Sequence, residues 1–146
     1  MDTKTGKQKT DSPEQTLGIQ CSRALTLSDE RTISATIGCA IEVHREVGPG
    51  FLEAVYHRAM CIALAASGLS FATERHVVVT YRGHRVGFQR LDLVVEGIIA
   101  VELKSVERLD FIHKMQLLSY LRAAKLQAGL LFNFNATSLL IRRVVL

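Results

Sequence analysis

Asp92 and the stretch Val101-Glu102-Leu103-Lys104 place one Asp, one Glu and one Lys in segments otherwise filled by Leu, Val and Ile. Residues two apart on a strand face the same side, so Glu102 and Lys104 point together. A strand this apolar is expected to be covered on both faces, where a charge needs a partner or a metal. Two carboxylates beside a lysine suit a hard cation with an activated water. Oxygen ligands hold Mg²⁺, the ion lowers the pKa of its water, and the ammonium orients that water or steadies developing negative charge. By spacing alone, a Lys104 ion pair with Asp92 or Glu102 at a sheet end carries equal weight.

A shared site imposes a parity condition on the hairpin between these segments. A plain two-residue turn at Glu96-Gly97 pairs Val95 with Ile98 and Asp92 with Val101, which sends Glu102 to the opposite face. The shared site therefore predicts an odd loop or a bulge here, with Gly97 at positive φ. Five further residues are ambiguous. Glu53 follows Gly50 by three residues, the N3 position that favours Glu at a helix start. Tyr56 reads as a core aromatic. Gln116 and Tyr120 lie one helical turn apart with His113 on the same side, a stripe read as solvated because it opposes a Leu-rich one.

The elements that position these residues follow from periodicity. Ser28 is the expected N-cap of a first helix, with Asp29 and Glu30 in its first turn and Ile33, Ile37, Ala40, Ile41 and His44 at helical spacing. Gly48-Pro49-Gly50 ends it. A second helix carries Leu52, Val55, Tyr56, Ala59 and Ala63 on one stripe and ends near Gly68. Strands are expected over 76–81, 86–94 and 98–103. Asp110 then caps a third helix in which Ile112, Met115, Leu118, Leu121 and Leu126 favour burial. Two final strands span 128–134 and 139–145. The order α-α-β-β-β-α-β-β is simplest as one α/β sheet domain with helices on its faces.

Composition narrows the class. The chain has 146 residues, 48% hydrophobic and 22% charged, an ordinary globular balance that excludes disorder throughout. No apolar run approaches the ~18 residues of a membrane span. The first twenty residues lack a signal peptide's apolar stretch, which leads to a cytoplasmic expectation. Cys21, Cys39 and Cys61 form no CxxC pair, so neither a disulfide framework nor a zinc site is suggested. Residues 1–27 read as a mobile tail and 28–146 as the domain. Of the net charge of +4, residues 1–30 contribute four basic and five acidic groups, so the excess lies in the domain. That fits a polyanionic partner, with Arg82, Arg85, Arg90, Arg142 and Arg143 as candidate phosphate contacts or solvated charges.

The motif Gly50-Phe51-Leu52-Glu53-Ala54-Val55-Tyr56 resembles the signature of the bacterial GxxExxY family. Arg90-Leu91-Asp92-Leu93-Val94-Val95, Val101-Glu102-Leu103-Lys104 and Gln116-Leu117-Leu118-Ser119-Tyr120-Leu121 resemble its later blocks in the right order, and Gly129-Leu130-Leu131-Phe132-Asn133-Phe134 its closing strand. The resemblance covers residues 28–146. That family is placed in the PD-(D/E)XK nuclease superfamily, which implies a restriction-endonuclease-like core: a mixed β-sheet flanked by helices. It further implies Asp92 and Glu102 as Mg²⁺ ligands (Mn²⁺ as a substitute), Glu53 as accessory ligand, Lys104 as the water-orienting cation and Gln116 as a helix residue beside the site. Leu91 stands where the superfamily's Pro is found.

The expected function is Mg²⁺-dependent hydrolysis of DNA phosphodiester bonds through a metal-activated water. The alternatives are a non-catalytic nucleic-acid-binding or assembly module retaining the fold, and a metal-dependent hydrolase of a small phosphorylated metabolite. Lacking a specificity module, a chain of this kind is expected to recognise structure or to be delivered by a protein partner; a homodimer is common among such nucleases.

Overall fold

Helix α1 (Leu27–Val47) begins at Thr26, whose Oγ1 accepts from the Asp29 backbone N–H at 3.1 Å while the Asp29 carboxylate accepts from the Thr26 N–H at 2.8 Å. This reciprocal box satisfies two N-terminal donors that Ser28, already helical, cannot reach. The helix therefore starts two residues earlier than the sequence predicts. Arg23 pairs with Asp29 at 3.0 Å and Leu25 packs on the core, so the fold takes in residues assigned to the tail. The structure, a computed structural model, describes residues 23–146, and the rest of the expected tail lies outside them.

The chain continues through α2 (Glu53–Ala66), β1 (Phe71–Tyr81), β2 (His84–Val95), β3 (Ile99–Lys104), α3 (Phe111–Ala124), β4 (Ala128–Asn133) and β5 (Leu140–Val145), the expected order. The strands form one sheet in the order β1-β2-β3-β4-β5. All neighbours are antiparallel except β3 and β4, which run parallel and are joined by the α3 crossover. The architecture is a mixed α/β sheet flanked by helices.

Two cores form on the two sheet faces. Ile33, Val43, Tyr56, Met60 and Leu64 of α1 and α2 pack with Leu93, Val95, Val101, Leu103 and Phe132 on one face. Leu117, Tyr120 and Leu121 of α3 pack with Val77, Leu91, Val94, Ala100 and Leu131 on the other. β3 and β4, covered on both sides, are buried almost throughout, as parallel strands are. No helix among the described residues is long and apolar enough to cross a membrane.

Two helical stripes differ from expectation. On α2 the buried positions are Tyr56, Met60 and Leu64, spaced by four, while Leu52 and Val55 stay exposed. On α3 the expected Leu121, and Leu126 just beyond the helix, are buried, joined by Leu117 and Tyr120, while Ile112 and Phe111 face outward. Of the stripe expected to be solvated, Tyr120 turns to the sheet, His113 is half-buried and Gln116 stays exposed. The even apolar distribution of α3 leaves orientation to tertiary packing.

Candidate functional site

The β2–β3 hairpin meets the parity condition. Leu93 pairs with Val101, Val94 with Ala100 and Val95 with Ile99, leaving a three-residue loop of Glu96, Gly97 and Ile98. Gly97 has φ 66°, and Glu96 shares the left-handed region at φ 52°. The strained Glu96 is held on both sides: its N–H donates to Ser70 O at 2.8 Å and its carboxylate accepts from Ser70 N–H at 2.7 Å. An odd loop sets Asp92 opposite Glu102.

Backbone pairing of β2 with β3 stops at Leu93 and Val101, and side chains take over. The Asp92 carboxylate accepts from the Leu103 N–H at 2.8 Å, and the Glu102 carboxylate accepts from the Asp92 N–H at 3.3 Å. The strand also reverses its side-chain alternation here. Leu91 and Leu93, two apart, belong to opposite cores, and Glu74 across β1 has φ 49°. The distortion turns the Asp92 side chain into the gap between the strands. Burial, then the neighbouring Asp92 charge, push the Glu102 carboxyl up to about 8, with the Lys104 charge acting against them.

Glu53 is the first residue of α2, with Leu52 at the N-cap; the expected N3 placement is off by one half-turn. Its carboxylate accepts from the Ser105 N–H at 3.4 Å, next to Lys104. The GxxExxY spacing explains this placement. Gly50 takes φ 101°, and the buried Tyr56 hydroxyl donates to Gly48 O at 2.7 Å and accepts from Phe51 N–H at 3.2 Å. Tyr56 stacks on Phe134 with centroids 4.4 Å apart, so the loop that delivers Glu53 is anchored to the core. Tyr56 is a core aromatic, as read from the sequence, and it is a loop anchor as well.

Glu53, Asp92, His57, Arg58, Glu74 and Arg90 line one cavity of about 300 Å³. Lys104 and Gln116 open instead into a separate groove on the α3 side of the sheet, with Gln89, His113 and Tyr120. Tyr120 donates to Gln89 at 3.1 Å, and burial followed by the Glu102 and Asp92 charges raises its hydroxyl above the ordinary range. The structure thus joins Asp92 to Glu102 directly, brings Glu53 into the Asp92 cavity and sets Lys104 with Gln116 on the other side. Sequence reasoning missed two supports. His57 donates through Nε2 to the Asp92 carbonyl at 3.1 Å, one turn after Glu53. The fully buried Asn133 donates to Val106 O at 2.9 Å and accepts from Val106 N–H at 3.1 Å, pinning the chain just beyond Lys104. An isolated Asn in an apolar strand was the available signal for the second.

The sequence profile described as the PD-(D/E)XK nuclease superfamily matches residues 30–144. The chain belongs to that superfamily. Its fold is accordingly of the restriction-endonuclease-like kind. The crystal structure of SSO0001 is similar over 62% of this chain, with 22% identity and a TM-score of 0.52, and supports the fold alone. The chain spans about half of that structure's length, 48%. No curated protein matches.

PD-(D/E)XK nucleases typically use divalent metals, and the donor set present here fits one. Adjacent carboxylates supply hard oxygens, and burial followed by the Asp92 charge keeps Glu102 protonated until a cation beside it would favour the ionised form. No three His, Cys, Asp or Glu side chains among the described residues converge tightly enough to cage an ion. A Mg²⁺-type site does not require that, because one or two carboxylates with waters and substrate phosphates suffice.

Proposed function

We propose that the chain is a Mg²⁺-dependent nuclease of the GxxExxY branch, with Mn²⁺ as a substitute, that hydrolyses phosphodiester bonds of DNA. The observation carrying this reading is the Asp92–Glu102 pair in the gap between β2 and β3, with Lys104 close enough to act on the Glu102 charge. Asp92 and Glu102 would hold the cation, with Glu53, in the Asp92 cavity, as the accessory acid. The bound cation would lower the pKa of the attacking water and stabilise charge on the phosphoryl oxygens.

The residues of the chain do the rest. Lys104 orients the water and offsets negative charge as its oxygen adds to phosphorus and the bond to the leaving oxygen breaks. Gln116 presents an amide to the same groove, where it can hold a phosphate oxygen or the water. His57 holds Asp92 through the backbone, and Tyr56 holds the Glu53 loop. Both act by position.

The test is cleavage of duplex, single-stranded, forked and junction DNA with Mg²⁺, Mn²⁺ or EDTA. Metal-dependent cleavage of at least one substrate is expected. Binding without cleavage under every divalent metal would replace this reading with the non-catalytic module.

A further inference from the structure

β2 has β3 beside it only over Leu93–Val95, yet its pairing with β1 runs on to Tyr81 and His84. The outer part of the hairpin is therefore a two-stranded arm roughly 20 Å long. One face of the arm is covered: Val77 and Leu91 are buried against α3, and Gln89 bonds Tyr120. The opposite face carries His76 and Val78 of β1 beside their partners Arg90 and Phe88 of β2. Phe88 is 56% exposed, and its ring lies 5.3 Å from that of His76 and 5.9 Å from the Arg85 guanidinium carbon. At the tip, Arg82 lies 5.2 Å over the ring of Tyr81, itself 60% exposed. Residues 75–90 include four Arg and two His and no Asp or Glu. Arg90, at the base, lines the same cavity as Asp92 and Glu53.

We propose that this uncovered face, centred on Phe88 with His76, Arg85 and Arg90, is a stacking platform that binds single-stranded or unpaired nucleic acid and leads it to the Asp92 cavity. The destination rests on the nuclease reading; the binding does not. Rings and guanidinium groups offer flat surfaces to bases, while the Arg charges follow phosphates. A duplex keeps its base faces stacked and would use only the charges, leaving the aromatic surface exposed for nothing. A second copy of the chain is disfavoured, because a two-fold contact sets one acid-free basic arm against another.

The experiment measures binding of a labelled oligothymidylate of about 20 nucleotides, and of a duplex of equal length, in EDTA. The parent chain should bind the single strand. Phe88→Ala should weaken that binding roughly tenfold to a hundredfold and leave duplex binding within about twofold, while Phe88→Tyr retains it. Arg85→Ala should flatten the salt dependence for both probes. The proposal is overturned if the parent fails to bind the single strand, if Phe88→Ala binds it normally, or if both probes are lost equally. It is also overturned if sedimentation shows a dimer that Phe88→Ala dissociates without loss of binding. Cleavage in Mg²⁺ is scored separately. Phe88-dependent binding without cleavage sinks the nuclease and keeps the platform; cleavage with Phe88-independent binding does the reverse.

Discussion

Replacing Glu102 by Gln should stabilise the metal-free protein at neutral pH while removing its response to divalent cations. The native Glu102 carboxyl keeps its proton up to about pH 8, against an ordinary value of 4.5 in the unfolded chain. Across that window the native state holds a proton that the unfolded state has released, so stability falls as pH rises through it. At pH 7 the unfolded carboxyl gains about 2.5 decades of ionisation, worth about 1.36 kcal/mol each, or roughly 3 kcal/mol against folding. Gln carries no such penalty, can accept from the Asp92 N–H and offers an amide N–H to the Asp92 side. For a chain of this size the gain corresponds to roughly 10 °C in Tm. Circular dichroism melts in EDTA at pH 7 and pH 4 measure it, and the difference should shrink below about 0.5 kcal/mol at pH 4, where both side chains are neutral. Millimolar Mg²⁺ should then raise the Tm of the parent and not of the variant. Equal or lower stability of Glu102→Gln at pH 7, or a gap independent of pH, would refute the assignment of a buried, protonated Glu102 to this site.

Lys104→Ala should lose cleavage by about a hundredfold or more yet keep metal affinity, whereas Asp92→Asn should lose both, as read by single-turnover cleavage and calorimetric Mn²⁺ titration. Parent-rate cleavage by both folded variants would show that the site lies elsewhere. Tyr56→Phe removes the hydroxyl that bridges Gly48 and Phe51 and should cost about 1–3 kcal/mol in urea melts. Its cleavage rate should also fall, since the Glu53 loop loses its anchor; an unchanged rate in a destabilised variant would confine Tyr56 to the core. Asn133→Ala leaves the Val106 amide and carbonyl without their buried partner and should cost about 2–4 kcal/mol by the same melts, with a loss below about 1 kcal/mol counting against the pinning role.

The order of the elements was legible because helix and strand differ in local period, and the mixed sheet followed from that order with the family resemblance. The acids were legible for a thermodynamic reason. Asp92 and Glu102 interrupt apolar strands, where an unpaired charge is costly, and the parity argument then required the odd loop that the structure contains at Glu96–Ile98. Local sequence did not decide which way the helices face. On α2 and α3 apolar residues occupy more than one stripe, so Tyr56, Met60 and Leu64, or Leu117, Tyr120 and Leu121, are selected only by what the sheet offers them. The start of α1 was misplaced because Thr26 and Ser28 are both good caps, and only the carboxylate of Asp29 three residues after Thr26 closes the box. The reversal of alternation between Leu91 and Leu93 was likewise beyond reach, since a strand read by period alone cannot change faces. That reversal turns Asp92 into the gap beside Glu102. Sequence alone chose the charges; long-range pairing of β1, β2 and β3 set their geometry, because register and twist depend on strands far apart in the chain.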